Sequence, residues 1–331
     1  MVKKPKAKKV VEIDRSLSRF SSGYLLGVDG VSQSLLQSWA QCRVHTEMSL
    51  NNWQSSRQRT ALQFGTMMHK ALEWLYSKEF RTIAGLIKAL FAKYHDKCLK
   101  EGFDIQQVEE MFSFLQILLP TYVRKWEKRD SAFEWRSLEP VFDVRWNGFR
   151  LRGKCDGIYR AKSKKGKGKL WLFETKTASQ LQEDTLLKRL QFDFQNLFYI
   201  TAMSEHLGEQ IVGAMYNVVK KPSLRMGKQD NNDWGTYVER VIADVEADTD
   251  KYFARFEVPY PAVKREQFAE TLLDKLNMFS DWCAGNGDQV TYANESSCVA
   301  RWPCSYLNAC ASGDFVGYEQ RPHLFNELED D

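Results

Sequence analysis

Two stretches, Gly153-Lys154-Cys155-Asp156-Gly157 and Phe173-Glu174-Thr175-Lys176-Thr177, bring two carboxylates and an amine close together in the chain, across a lysine-rich segment. Side chains of a strand alternate between its faces, so Glu174 and Lys176 project the same way. If Asp156 lies on a neighbouring antiparallel strand, its carboxylate meets that of Glu174. Two carboxylates in a partly dry site repel each other, and a divalent cation relieves the repulsion. Mg2+ takes hard oxygen ligands and keeps several waters. It can polarise a phosphodiester oxygen and supply a nucleophilic water. Lys176 beside that water would orient it and stabilise the charge developing on the phosphorane. A bare Glu-x-Lys is also common on the exposed face of a hairpin. Here the residues leading into it, Leu170-Trp171-Leu172-Phe173, read as a buried strand, where a carboxylate is costly unless paired or metal-bound.

Cysteines form a second constellation. Cys298, Cys304 and Cys310 stand at five-residue gaps beside Pro303. They are either scattered reduced thiols or a metal site, and three thiolates need a fourth ligand for tetrahedral zinc or a cubane cluster. Cys98, Cys155 and Cys283 stand alone and read as core thiols, with Cys155 pointing away from Asp156.

The elements that must position these residues follow from periodicity. Ser32-Gln33-Ser34 offers an N-cap for a short helix through Leu35, Leu36 and Trp39 that carries Cys42 near its end. Leu62, Met67, Met68, Leu72 and Leu75 recur at helical spacing over Thr60 to Tyr76, with His69 among them. Helices are predicted at about Ile83–Lys100 and Ile105–Arg129. Strands are predicted over Glu139–Trp146 and Phe149–Arg160, joined by the hairpin turn Asn147-Gly148. A third strand spans Lys169–Thr175. Helix returns from about Ser179 to Leu207, then a strand at Ile211–Val219, and a last helix over Arg265–Trp282. This order gives an α/β (α+β) core with helical additions.

The 331 residues can bury a sizeable core, and 43% apolar content argues against disorder. Net charge is only +4, but it is unevenly spread. Lys3, Lys4, Lys6, Lys8 and Lys9 form a basic arm, and a second cluster runs Arg160, Lys162, Lys164, Lys165, Lys167, Lys169. Such blocks are solvated tails or phosphate contacts. No apolar run approaches the roughly 20 residues of a membrane span, and no apolar segment follows the charged N-terminus as a secretory signal requires. The expected location is the cytoplasm, with reduced cysteines.

Asp156 with Glu174-Thr175-Lys176 resembles the PD-(D/E)XK nuclease superfamily, in its RecB-like exonuclease branch. Other stretches fit that branch in order: Ser32-Gln33-Ser34-Leu35-Leu36 with Trp39 and Cys42, Phe64-Gly65-Thr66-Met67-Met68-His69 with Leu72-Glu73, and Gln195 with Tyr199. The likeness runs from about residue 30 to 311. Tyr216-Asn217-Val218-Val219-Lys220-Lys221-Pro222 is similar to versions carried by bacteriophages.

The resemblance implies a restriction-endonuclease-like core, a central mixed sheet flanked by helices, with a cysteine-stapled C-terminus. On that reading residues 1–16 are a flexible basic arm and 17–318 a single domain. Within it lie a helical insertion at about 77–130, the core at about 137–220 and the last helix with the cysteines at 262–312; 319–331 is an acidic tail. His69, Asp156 and Glu174 would ligate Mg2+ or Mn2+ with the Thr175 carbonyl. Lys176 would be the catalytic lysine, with Gln195 and Tyr199 positioning the strand or bracing the site. By itself a histidine on an apolar helix face is more often a satisfied core residue. Glu139 has a lesser claim to the metal, and Glu73 either orients His69 or lies at the surface. The resemblance also makes Cys42 the fourth ligand of a [4Fe–4S] cluster with Cys298, Cys304 and Cys310, although many members space the first two C-terminal cysteines more closely, which keeps zinc open. The substrate implied is DNA, single-stranded or at duplex ends, with a helicase or recombinase as partner. Lys188, Arg189, Lys220, Lys221, Arg225 and the 160–169 loop are candidate phosphate contacts, and Trp53 and Trp146 candidate base-stacking residues. A non-catalytic DNA-binding subunit of the same fold is the competing reading.

Overall fold

The computed structural model describes residues 14–56, 60–162, 168–178, 183–286, 291–299, 303–322 and 324–325. The basic arm, the heart of the second lysine cluster and the end of the acidic tail lie outside these residues.

A five-stranded mixed sheet forms the centre. Its strands are β1 (Phe133–Leu138), β4 (Gly157–Ala161), β5 (Leu170–Ala178), β6 (Ile211–Lys220) and β7 (Phe253–Pro259), in the order β1-β4-β5-β6-β7. β5 and β6 are parallel, and the other pairings are antiparallel. β5 and β6 are nearly continuous apolar runs because both faces of the sheet are covered. Two further strands, β2 (Val141–Trp146) and β3 (Phe149–Lys154), make a separate hairpin. Its turn, Asn147-Gly148, has φ of 45° and 86°, the left-handed pair that a tight two-residue turn demands.

Helices α1 (Gln33–Gln41), α7 (Phe194–Leu207) and α9 (Ala262–Ala284) cover one face. There Leu36, Trp39, Phe198, Phe279 and Trp282 pack with Leu172, Ala214 and Val258 of the sheet. Helices α3 (Thr60–Tyr76), α4 (Ile83–Lys100), α5 (Ile105–Asp130) and α8 (Trp234–Ala247) cover the other, where Phe64, Met68, Phe114, Tyr122 and Val241 pack with Val219 and Phe253. α2 (Arg43–Leu50) and α6 (Glu183–Leu190) complete the set labelled here. Near the chain ends, Trp53–Ser55 pairs with Tyr318–Gln320. No helix among the described residues is long and apolar enough to cross a membrane.

Several expectations needed correction. The single strand expected over Phe149–Arg160 is two, β3 and β4, broken at Cys155-Asp156. The glycines on either side of the break are closely packed: a Cβ at Gly153 would lie 2.5 Å from the Phe142 ring, and one at Gly157 2.8 Å from the Trp135 ring. β2 begins at Val141 rather than Glu139, because Glu139 takes a φ of 48° ahead of Pro140. The helix expected across Ser179–Leu207 is split into α6 and α7, since the Asp193 carboxylate accepts the Asn196 N–H at 2.8 Å and caps a new start. β1, α8 and β7 were not anticipated.

Candidate active site

Asp156 occupies the junction between the hairpin and the central sheet. The Glu139 N–H donates to its backbone carbonyl at 2.9 Å, which fixes the strand break. Its side chain faces two elements at once. Oδ1 lies 3.0 Å from His69 Nδ1, and Oδ2 accepts the Thr175 N–H at 2.5 Å. His69 reaches it because α3 lies close against β5: a Cβ at Gly65 would sit 3.1 Å from Thr177 Oγ1. Phe64, Met67, Met68, Ala71 and Leu72 bury the helix around His69.

Glu174 is only 2% exposed. Its Oε1 accepts from Lys176 Nζ at 2.6 Å and from Gln195 Nε2 at 2.8 Å. Gln195 and Tyr199, one turn apart on α7, lie 3.4 Å from each other, so the tyrosine backs the amide that touches the carboxylate. Glu174 Oε2 is buried and lacks a hydrogen-bond partner. A buried anionic oxygen without a donor is uncommon, and a cation is a natural complement.

The electrostatics follow from this crowding. Burial, and then the Asp156 charge, raise Glu174 to about 7 against the pull of Lys176. Burial opposes the charge on His69, yet the adjoining Asp156 carboxylate wins and lifts it to about 9. Asp156 itself is lowered, because His69 and the Thr175 N–H outweigh its desolvation. Lys176 is raised: desolvation works against its charge, but Glu174 and Asp156 prevail. The paired carboxylates are therefore driven apart in basicity, Glu174 being the more basic and Asp156 the more acidic.

Ligand atoms of His69, Glu139 and Asp156 all lie within 4.8 Å of one another. Glu139, given the lesser claim by sequence, is thus brought directly to the site. Its carboxylate is 2.8 Å from Lys154 Nζ, and burial together with the Asp156 charge raises its pKa. The only sequence sign was an acidic residue before Pro140 at the foot of a hairpin, a weak one. Glu73 pairs with Lys70 at 2.7 Å instead of orienting His69. Thr175 contributes its N–H to Asp156, and its hydroxyl accepts from Asn217 Nδ2 at 3.2 Å. Carboxylate oxygens with one imidazole, including the orphaned Glu174 oxygen, are a donor set that suits Mg2+ or Mn2+.

Cys42, Cys298 and Cys304 line a cavity of about 150 Å³ with Ser38, Gln41, His45 and Ser297. Cys310 joins them: after burial, the neighbouring Cys298 and Cys42 raise its pKa, and Cys304 responds to the other three. None of the seven cysteines is disulfide-bonded. No three of these sulfurs lie mutually within 4.8 Å, the described residues' one such metal-ligand group being His69, Glu139 and Asp156. Cys98 and Cys155 are buried, and Cys283 is half-buried.

The expected nucleic-acid contacts divide. Lys188 and Arg189 are exposed on α6 just ahead of Gln195, and the Arg189 charge bears on Asp193 and Tyr216. Arg225 is also exposed. Arg160 is not a free cation: it is buried on β4, between two neighbouring strands, and paired with Glu209 at 2.8 Å. Lys221 is drawn to Glu110 at 3.4 Å and lies over the Phe114 ring. Lys220 lies over Tyr252. Trp53 lies against Phe315, tilted with ring centres 4.5 Å apart, and Trp146 packs against the core that holds Phe142 and Phe198. Lys164, Lys165 and Lys167 lie outside the described residues.

A mixed sheet covered on both faces thus carries a carboxylate pair and a lysine at a strand break. The PD-(D/E)XK nuclease superfamily profile matches residues 31–311, and the chain belongs to that superfamily. Among solved structures it is similar to a candidate exonuclease from Eubacterium rectale, at 12% identity and a TM-score of 0.45, over 82% of this chain and 86% of that one. It is also similar to SSO0001, at 11% identity and a TM-score of 0.28, over 73% and 93%. Comparison with curated proteins gives no match.

Proposed function

We propose that this chain is a Mg2+- or Mn2+-dependent deoxyribonuclease of the RecB-like branch, trimming DNA from strand ends during recombination, repair or phage DNA processing in the cytoplasm. One observation carries the reading. Asp156, Glu174, Lys176 and His69 converge from three elements, and the second Glu174 oxygen is left buried without a donor. His69, Glu139, Asp156, Glu174 and the Thr175 carbonyl would hold the ion. A bound ion supplies Lewis acidity toward the phosphodiester and lowers the pKa of a water.

The remaining work falls to side chains. Lys176 stays protonated through neutral pH, because its raised pKa rules it out as a base there. It acts as a fixed cation that orients the attacking oxygen and offsets charge on the phosphate. Gln195 holds Glu174 Oε1 in place, and Tyr199 braces Gln195. Lys188 and Arg189 on the exposed rim of α6 suit the phosphates of a strand entering past Gln195.

For the cysteines we favour a [4Fe–4S] cluster. Four neighbouring thiols, Cys42, Cys298, Cys304 and Cys310, supply the four cysteine ligands such a cluster takes. Protein purified without oxygen should be brown; a colourless protein with stoichiometric zinc would overturn this.

The nuclease reading is tested with end-labelled single- and double-stranded DNA of each polarity, in Mg2+, Mn2+ or EDTA. Degradation that needs metal and disappears in Lys176→Ala supports it. Tight binding without cleavage in the wild-type protein would instead make the chain a DNA-binding subunit.

A further inference from the structure

The guanidinium of Arg255, on β7, is wholly buried. It donates through Nε to Asn217 Oδ1 at 2.9 Å. Its other nitrogens reach both Asp130 oxygens, Tyr76 OH at 2.8 Å and Tyr122 OH at 2.7 Å. Tyr122 OH also donates to Asn217 Oδ1 at 3.1 Å, and Tyr76 OH to Asp130 Oδ2 at 3.0 Å. Trp126 and Phe173 flank the cation at 4.3 and 5.4 Å from their ring centres.

Two arms leave this hub toward the candidate metal site. Tyr76 is the last residue of α3, the helix that carries His69. Asn217 passes the link to β5: its Nδ2 donates to Thr175 Oγ1 at 3.2 Å, and the Thr175 N–H donates to Asp156 Oδ2. Phe173, against the guanidinium, directly precedes Glu174. A buried ion pair is weak evidence for stability, because apolar groups of the same shape often serve as well. What a planar fork gives that apolar packing does not is fixed direction at several partners together.

The geometry points to Arg255 as a positioning residue for the metal site. Through Tyr76 and Asn217 it fixes the helix of His69 relative to the strand of Glu174 and Thr175, so that ligands from separate elements share one ion. This rests on the metal-dependent reading above.

The test is Mn2+ binding by calorimetry at pH 8 on the full chain, with unfolding temperature and steady-state cleavage as companions. Lysine can place one ammonium against Asp130 or Asn217, not a fork against both. Thr175→Val deletes only the hydroxyl that ends the Asn217 arm. We expect Arg255→Lys and Thr175→Val to weaken Mn2+ binding about tenfold or more, as loss of residues supporting metal ligands commonly does. kcat should fall with KM for DNA unchanged. Thr175→Val keeps the hub intact, so it reads the arm even if Arg255→Lys lowers stability. Wild-type Mn2+ affinity in folded Thr175→Val would overturn the inference, as would a wild-type protein that binds no Mn2+. A wild-type protein that binds Mn2+ but leaves DNA intact would refute the nuclease reading alone, and the affinities would still decide the role of Arg255.

Discussion

Replacing Asp156 with asparagine isolates the charge that governs His69. The amide is nearly the same shape as the carboxylate. It can still accept the Thr175 N–H and can donate to a neutral His69 Nδ1, so the framework at 3.0 Å is preserved while the anion is lost. In the wild type that anion overcomes burial and holds His69 at about 9 against an ordinary 6.5. Without it, burial is left to act, and His69 should titrate at or below 6.5. The shift, about 2.5 units, corresponds to about 3 kcal/mol of coupling. A raised histidine pKa adds stability in full below 6.5 and loses it as pH rises through 9. A lowered aspartate pKa adds stability above 3.8 and loses it as pH falls. Asp156→Asn should therefore destabilise the metal-free protein most between about pH 4 and pH 8. The assay is NMR titration of the imidazole in chelator-treated protein, with urea midpoints at several pH values. A His69 that still titrates near 9 in Asp156→Asn would show that the ion pair is not the cause.

Glu174→Gln should abolish cleavage yet stabilise the metal-free fold above pH 7. The wild-type carboxyl, raised to about 7, loses stability as pH rises from 4.5 through 7, a loss of up to about 3 kcal/mol that glutamine escapes. Urea midpoints equal at pH 8 would contradict this. Mn2+ affinity should increase from pH 6 to pH 9, because binding must displace the proton held by His69 and the one on Glu174; calorimetry in buffers of different ionisation enthalpy counts the protons released. Gly213→Ala should cost about 1–3 kcal/mol, since its Cβ would sit 2.4 Å from the Trp171 ring and 2.7 Å from the Val258 carbonyl; an unchanged melting temperature would show that β6 and β7 can part there.

Much of the site was legible because its chemistry is local in sequence. Glu174 and Lys176 declare a shared face by being two apart, and Gln195 and Tyr199 declare one helix turn. α3 was readable to its end residues, since an uninterrupted apolar stripe carries it. What was not legible depended on contacts made elsewhere. Phe133–Leu138 is an edge strand with three aromatic or apolar side chains on one face, too short and too charged to announce itself after a long helix. The break at Asp156 shows only in the tertiary pairing, where β3 joins β2 in a hairpin while β4 joins the central sheet. Glu139 comes within reach of His69 and Asp156 through that break, so its place beside them could not be seen before the break was. Arg255 had no motif at all, because its buried hub is defined by partners from three other elements, α3, α5 and β6. Arg160 and Lys221 misled for the opposite reason: a basic residue in a basic run says nothing about the acid waiting opposite it.

The two layers on either side of the sheet differ in how soon they can be assembled as the chain emerges from a ribosome. The layer with Phe64, Leu90, Phe114 and Tyr122 is drawn mostly from consecutive helices and can condense early. Its counterpart joins Trp39 to Phe279 and Trp282, at ring separations of 5.5 and 6.4 Å, so α1, which can meet α7 earlier, lacks the α9 part of its cover until almost the whole polypeptide has been made. The N-terminal helix is thus the segment most in need of shielding during synthesis, and premature termination before residue 262 leaves it without that part of its cover.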